Sequence, residues 1–334
     1  MSDLDRCITR STKATVRATG LALLAALALP SASTLAQQYP DKPVRIIAPY
    51  AGGSASDTLA RAMNDQLKQV LGQPFLLDNK AGALGQIAAR EVASAPPDGY
   101  TLLLALTGTH SINPVMVKQL QYDPIRDFTP ITRLTLGQSI FTVPVSLQVG
   151  SIKDLVAYAR ANPGKLSFSA HNAFATFGME YFRILTNTDM VNVPYKTYAD
   201  TVSDLLAGRV QVAIMDVLNT TPLIRQGRLK GLAMTGTQKS ALNPDLPAVK
   251  DVGVPEFVLY SWIGMVGPAG MQPALVQRLN GAVHTAMTAP QVTEQLKKIE
   301  YYYLPQTPAE FAAFIREQLQ LYTNIAKKAG MQPQ

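Results

Sequence analysis

The sequence predicts an α/β protein of two units, each a mostly parallel sheet flanked by helices. Short apolar, β-branched runs alternate with helix-period segments from Pro43 to about Gln138. The same alternation resumes near Phe141 and continues to Thr235. After Pro255 the chain crosses back into one more strand and two further helices, so its N- and C-terminal parts share a unit. The length of 334 residues suffices for about two domains with substantial cores.

The first unit opens with Val44 to Ala48, an apolar run that reads as a buried strand. Pro49 and the Gly52-Gly53 pair break it. A helix follows with Leu59, Met63, Leu67, Val70 and Leu71 on one face, and Gly72 and Pro74 end it. Tyr50, Gly52, Gly53, Ser54, Ser56 and Asp57 lie at that strand–turn–helix junction, where unpaired backbone N–H groups converge and suit an anion. A tight turn with Asp57 as its cap explains the same residues equally well. The stretch has neither the Lys-Ser/Thr of a P-loop nor G-x-G-x-x-G, so a nucleotide is not its expected ligand. Pro74 to Asp78 is a second strand, Gln86 to Ser94 a helix, Pro96-Pro-Asp-Gly99 a turn and Tyr100 to Leu106 a third strand. Ligands of such sheets sit beyond the carboxyl ends of the strands, which brings Thr109 and His110 to the same rim.

In the second unit Ser151-Ile-Lys-Asp154 resembles a capping box before a helix that ends at Asn162-Pro-Gly164. Leu166 to Ser169 is a strand. Ala170 to Thr176 then leads into a helix through Met179, Tyr181, Phe182 and Leu185. Met190 to Val193 is a strand with Tyr195-Lys196 in its following loop, and a helix over Val202 to Ala207 is closed by Gly208. Val210 to Met215 is a strand ending at Asp216, which either meets a ligand amine or hydroxyl or caps Asn219-Thr220-Thr221. Gly231 to Thr235 adds another strand. On the return come a strand over Leu259 to Val266, a helix over Pro273 to Met287, and a last helix opened by Thr307-Pro-Ala-Glu310. Two such units imply a cleft that closes about a hinge.

Residues 1–36 read as a secretory signal. Arg6, Arg10, Lys13 and Arg17 precede the apolar Gly20 to Leu29, and small residues up to Ala36 offer a cleavage point. Cys7, the single cysteine, lies in that segment, so disulfides, thiol nucleophiles and thiolate metal sites are not expected. Hydrophobic residues make up 47% and charged ones 16%, which excludes a disordered chain. The net charge of +7 is dispersed, with none of the basic blocks of a nucleic-acid binder, and suits a small anion.

Enzyme signatures are missing: no G-x-S-x-G, no H-E-x-x-H, no cofactor cradle. The three histidines, His110, His171 and His284, are far apart in sequence. His284 falls mid-helix, whereas His110 and His171 fall on rim loops, as ligand donors or as loop caps. A triad of Ser54, His110 and Asp216 is the weakest alternative. No metal and no cofactor are expected.

Tyr39-Pro-Asp-Lys-Pro-Val-Arg-Ile, Pro49-Tyr-Ala-Gly-Gly-Ser-Ala-Ser-Asp57, Pro97-Asp-Gly-Tyr-Thr-Leu-Leu103 and Tyr122-Asp-Pro124 with Asp127-Phe128 stand in order along the chain. Val193-Pro-Tyr-Lys196, Leu205-Leu-Ala-Gly208, Ser261-Trp262 and Pro268-Ala-Gly270 follow. In this order and spacing the chain resembles the Bug (Bordetella uptake gene), or TctC, family over about Tyr39 to Gly330. These are the periplasmic binding components of tripartite tricarboxylate transporters. The resemblance implies a two-domain Venus-flytrap fold, with residues 37–138 and 262–334 in one domain and 139–261 in the other. It also implies a monomeric periplasmic receptor that hands a carboxylate to a small and a large membrane subunit.

By position, the resemblance puts one carboxylate against Tyr50 to Asp57, with Thr109 and His110 beside it. The facing domain contributes Ser169 to Thr176, with Lys196 and Asp216 nearby. Relatives usually carry a Gly-Thr-Thr-Ser-His-like run where this chain has Ala170-His-Asn-Ala-Phe-Ala-Thr176. His171, Asn172 and Phe174 would suit a planar dicarboxylate such as terephthalate, and Phe174 would equally serve as core packing. A co-sensor that reports the ligand to a membrane kinase would use the same cleft.

Overall fold

Residues 39–333 are described by a computed structural model; the signal segment expected at residues 1–36 lies outside them. From Pro40 onward the chain packs as one unit. It opens with strand β1 (Val44–Ala48), helix α1 (Ala55–Leu71), β2 (Phe75–Asn79), α2 (Gln86–Ala93) and β3 (Thr101–Leu106). Helix α1 buries Leu59, Ala60, Met63 and Leu67 and stops at Gly72, whose φ of 78° is the left-handed value that glycine adopts freely. A π-helical turn (Gly108–Ile112) and short helix α3 (Asn113–Met116) lead to β4 (Phe128–Gly137).

After Gln138 the chain enters a second sheet system. Its elements are β5 (Ser139–Pro144), α4 (Ile152–Ala161), β6 (Leu166–Ala170), α5 (Ala173–Leu185), β7 (Met190–Pro194) and α6 (Tyr198–Leu206). Then follow β8 (Ala213–Asp216), α7 (Val217–Arg225) and β9 (Leu229–Met234). The return consists of β10 (Ser261–Pro268), α8 (Pro273–Met287), α9 (Pro290–Ile299), β11 (Tyr301–Tyr302) and α10 (Pro308–Ala329). Thr307 and Glu310 close the expected capping box at α10, which buries Phe311, Ile315, Tyr322 and Ala326.

The six-stranded sheet has the order β11-β4-β10-β3-β1-β2. The parallel order that βαβ units impose holds for β2-β1-β3 and for the β6-β7 pair. Strands β10, β4 and β11 join antiparallel, as do all pairings in the sheet β8-β5-β9. Both sheet systems are therefore mixed rather than mostly parallel, because no helical crossover feeds β4, β5 or β10. At Ser151 the cap accepts from the Asp154 N–H, but Asp154 accepts from Gly150 instead of closing a box.

The chain passes between the two sheet systems at two places, which Thr235 ties together. Only Gln138 separates β4 from β5, and its side chain is fully buried. On the return, just before β10, the Leu259 N–H donates to Thr235 O at 2.9 Å, and Thr235 in turn donates its N–H to Ser139 O at 2.9 Å while its Oγ1 accepts the Ser139 N–H at 3.0 Å. No helix among the described residues is long and apolar enough to cross a membrane.

A candidate ligand site where the two sheet systems meet

The turn after β1 is built around Asp57. Ser54 caps α1 by accepting from the Asp57 N–H at 3.2 Å. The Asp57 carboxylate accepts from the Gly53 N–H at 3.2 Å, Arg61 Nε at 2.9 Å and Asn79 Nδ2 at 2.9 Å. Burial opposes its charge, yet these donors win and hold the carboxyl below its ordinary range. Gly53 has φ 89°, so the left-handed turn itself calls for glycine; Gly52 has no such requirement. Asp57 and Arg61 thus satisfy each other and shape the turn. Among the described residues no group takes up the N–H of Ala55 or Ser56, the first two donors of α1.

Thr109 and His110 turn inward. Thr109 Oγ1 accepts from the Leu106 N–H and pairs with His110 Nδ1 at 2.9 Å. His110 is fully buried among Phe128, Trp262 and Tyr122, with Nε2 unpartnered. Burial pushes its pKa down to about 3, so the ring is neutral. Both residues brace the rim from behind. A Cβ at Gly85 would stand 2.8 Å from Thr109 Cγ2 and 2.9 Å from Pro49 Cβ, which ties the loop before α2 to the same rim.

On the facing side Ser169 lies at the end of β6, buried, 3.4 Å through Oγ from His171 Nδ1. His171 meets the Tyr198 ring edge-on at 5.5 Å, and burial lowers its pKa to about 4. Asn172 caps α5 by accepting from the Ala175 N–H. Phe174 packs into the hydrophobic core beneath the helix. Lys196 is exposed and makes no hydrogen bond or ion pair among the described residues. Asp216 caps α7, accepting from the Asn219 N–H at 2.9 Å and from Asn219 Nδ2 at 3.2 Å, with the Tyr198 hydroxyl and the Leu218 N–H close by. A methyl at Gly108 would lie 3.1 Å from Ala173 Cβ, so the π-turn and the start of α5 touch across the two systems.

Two side chains that the sequence reading did not single out, Tyr301 and Tyr198, bring these pieces together with Tyr50. Tyr301 lies on β11 beside Gly137, with the hydroxyls of Ser56 and Ser261 near its own. Burial first, then the charge of Asp216, raises the Tyr301 phenol. Tyr198 is raised by burial and by the same carboxylate, and it reaches Thr220 Oγ1 at 3.1 Å. The Tyr50 hydroxyl is buried without a partner, and burial first, then the charge of Asp57, raises its pKa. Tyr50, Ser56, Ser261 and Tyr301 thus converge from the six-stranded sheet on Tyr198 and Asp216 from the other. The Tyr301-Tyr-Tyr run just before the last capping box was the one sequence signal for this, and it does not say where the rings point.

The arrangement is rich in hydroxyl and N–H donors, and all its phenols stay protonated at neutral pH. Ser54 Oγ faces the Asp57 N–H, and no bond joins Ser54, His110 and Asp216 among the described residues, so no nucleophile–base pair is assembled. No group of side chains suited to a metal occurs among them either.

Residues 59–331 match the family described as tripartite tricarboxylate transporter family receptor, TctC. A UPF0065 protein from the gbd 5′ region of Cupriavidus necator is 32% identical over 319 residues, covering 94% of this chain and 95% of the relative. The structure of R. palustris Rpa4515 with adipate superposes with a TM-score of 0.84 at 30% identity, covering 89% of this chain and 100% of that one. The periplasmic binding protein BugD superposes at 0.83 with 28% identity, covering 89% and 100%. The two sheet systems are therefore the two lobes of a periplasmic-binding-protein fold, and the chain belongs to the TctC, or Bug, family of solute-binding receptors.

Proposed function

We propose that this protein is a periplasmic receptor that closes on a small dicarboxylate and delivers it, unchanged, to the small and large membrane subunits of a tripartite tricarboxylate transporter. It acts as a monomer after cleavage near Ala36. The lobes are residues 37–138 with 262–334, and 139–261, and the cargo lies between them. One observation carries the reading: the untaken N–H groups of Ala55 and Ser56 stand beside the hydroxyls of Ser56, Tyr50 and Tyr301. A helix N-terminus ringed by neutral donors holds a carboxylate through hydrogen bonds without a cationic side chain. Arg61 is committed to Asp57, so it does not replace these donors.

The adipate bound to a relative supports a diacid. Phe174 lends no support to an aromatic cargo, since it packs in the core. The rings of Tyr50, His171, Tyr198 and Tyr301 keep a planar diacid such as terephthalate in the test. The mature protein is heated with mono-, di- and tricarboxylates, aliphatic and aromatic. A cargo at a hundred times its Kd adds about 2.7 kcal/mol of stability. Stabilisation by a diacid, recovered intact afterwards, supports the receptor; a melting curve unmoved by every acid overturns it.

A further inference from the structure

We propose that helix α10 straps the two lobes together, and that the seat of Tyr322 on the second lobe fixes the angle between them. The strap is independent of the cargo and goes beyond the receptor reading above.

The opening turns of α10 are seated on the first lobe. Phe311 is fully buried and meets the Trp262 ring edge-on at 5.9 Å, and Phe314 meets the same indole at 5.6 Å. Ile315 lies in that cluster, and the Arg133 guanidinium of β4 stands over the Phe314 ring at 4.4 Å. The later turns bury their apolar side elsewhere. Tyr322 and Ala326 belong to the core cluster that holds Phe141, Phe168 and Phe177 of the second lobe. Ile325, Ala329 and Met331 pack against that cluster. The Tyr322 ring meets Phe177 of α5 edge-on at 5.0 Å. Its hydroxyl donates to Tyr260 O at 3.3 Å, on the return crossing just before β10.

One continuous element therefore enters both cores. Between Phe311 and Ala326 the helix advances about 22 Å, with no glycine or proline between them to serve as a kink. Such a helix cannot stay seated on two bodies that turn freely against each other. The angle between the lobes changes only by a rotation that leaves the Tyr322 seat intact, or after that seat opens. Opening it exposes a side chain that is now 1% accessible and packed on the ring of Phe177. The junction also takes in the π-turn: Ile112 joins the same cluster, and Val115 and Met116 of α3 pack against it. To the strand crossings at Gln138 and Thr235, α10 thus adds a tie made by packing rather than by chain continuity.

Pulsed electron–electron double resonance on the protein without added acid tests this, with Cys7, the single native cysteine, replaced by serine. Nitroxide labels go in pairs at Asp65→Cys on α1, Ala157→Cys on α4 and Lys328→Cys near the end of α10, all exposed positions. With Tyr322 in place, the distance from 157 to 328 should be as narrowly distributed as that from 65 to 328. A markedly broader distribution from 157 to 328 overturns the strap, since the end of α10 would then ride on the first lobe alone. Tyr322→Ala should widen the distributions from 65 to 157 and from 157 to 328 by at least about twofold, and leave that from 65 to 328 unchanged. Phe177→Leu attacks the seat from the second lobe while keeping an apolar side chain. It should give the same pattern, and it stands in should Tyr322→Ala fail to fold. An unchanged distribution from 65 to 157 in the variant that folds, or an equal widening of all three, overturns the strap.

Discussion

The ring of Tyr301 rests flat against Gly137. A methyl group at 137 would overlap ring atoms Cδ1 and Cε1. Gly137 is the last residue of β4, one step before Gln138 carries the chain into the other lobe, and its Cα pairs with Tyr301 across the sheet edge. The absence of a side chain at 137 is what lets the phenol lie this low, with Ser56 and Ser261 near its hydroxyl. The hydroxyl proposed to meet the cargo is thereby seated beside the segment that carries the chain from one sheet system into the other.

Gly137→Ala should push Tyr301 off this seat. Overpacking of this kind costs about 1–3 kcal/mol of stability. Binding should fall further than in Tyr301→Phe, because both ring position and hydroxyl contacts are lost. Thermal melts with titration of the bound diacid check this, and wild-type affinity in Gly137→Ala would show that the ring's position does not matter.

Asp57→Ala strips three donors of their acceptor at once. Leaving Arg61, Asn79 and the Gly53 N–H without it should cost about 1–3 kcal/mol in denaturant unfolding and weaken binding through the distorted turn. The carboxyl is held below its ordinary value, so its contribution is present above the unfolded pKa and disappears as pH falls through the lower folded one. Wild-type acid unfolding should therefore be steeper than that of Asp57→Asn, measured on the same buffers.

His110 gives a second acid signature in a higher range. Its folded pKa is about 3 and its ordinary value 6.5, so the unfolded chain binds the proton first. Stability is full above about pH 6.5 and falls as pH drops toward 3, by about 1.4 kcal/mol per unit. His110→Phe keeps a ring among Phe128, Tyr122 and Trp262 and removes the titration. Urea unfolding at pH 7 and pH 5 should show a loss of about 2 kcal/mol in the wild type that the variant lacks.

Elements with strong local signals were legible: the β1 run, the α1 face with its Gly72 stop, and the α10 capping box. Strand β4 was not, because Pro130 and two register shifts against β10 interrupt its alternation. Strand β11 is two residues long and exists only through pairing with Leu136 and Gly137. The same limit applies to the site. Helix-start residues such as Ser54 and Asp216 announce themselves by type and position, whereas Tyr301 reaches Ser56 only after more than two hundred residues have folded between them. His110 looked like a rim donor and lies in the core because the π-turn rotates it inward.

Glu300 holds the segment before Tyr301 in place. Its carboxylate, buried and in a left-handed backbone conformation at φ 51°, accepts from Ser240 Oγ and the Leu242 N–H, both at 2.7 Å. Glu300→Ala should leave both donors unsatisfied, lower stability by about 1–3 kcal/mol and loosen Tyr301. Hydrogen exchange at Leu242 and Tyr301 is the direct readout, and unchanged protection at both would show that Glu300 does not anchor them.

The central claim is that neutral donors around the start of α1 hold a carboxylate. Titration of a stabilising diacid into the wild type and into Tyr301→Phe, by calorimetry, tests it most directly. We expect one site per chain in the wild type and at least about tenfold weaker binding in the variant, the worth of one buried hydrogen bond to a charged group. Equal affinity in the two proteins would contradict this account of the site.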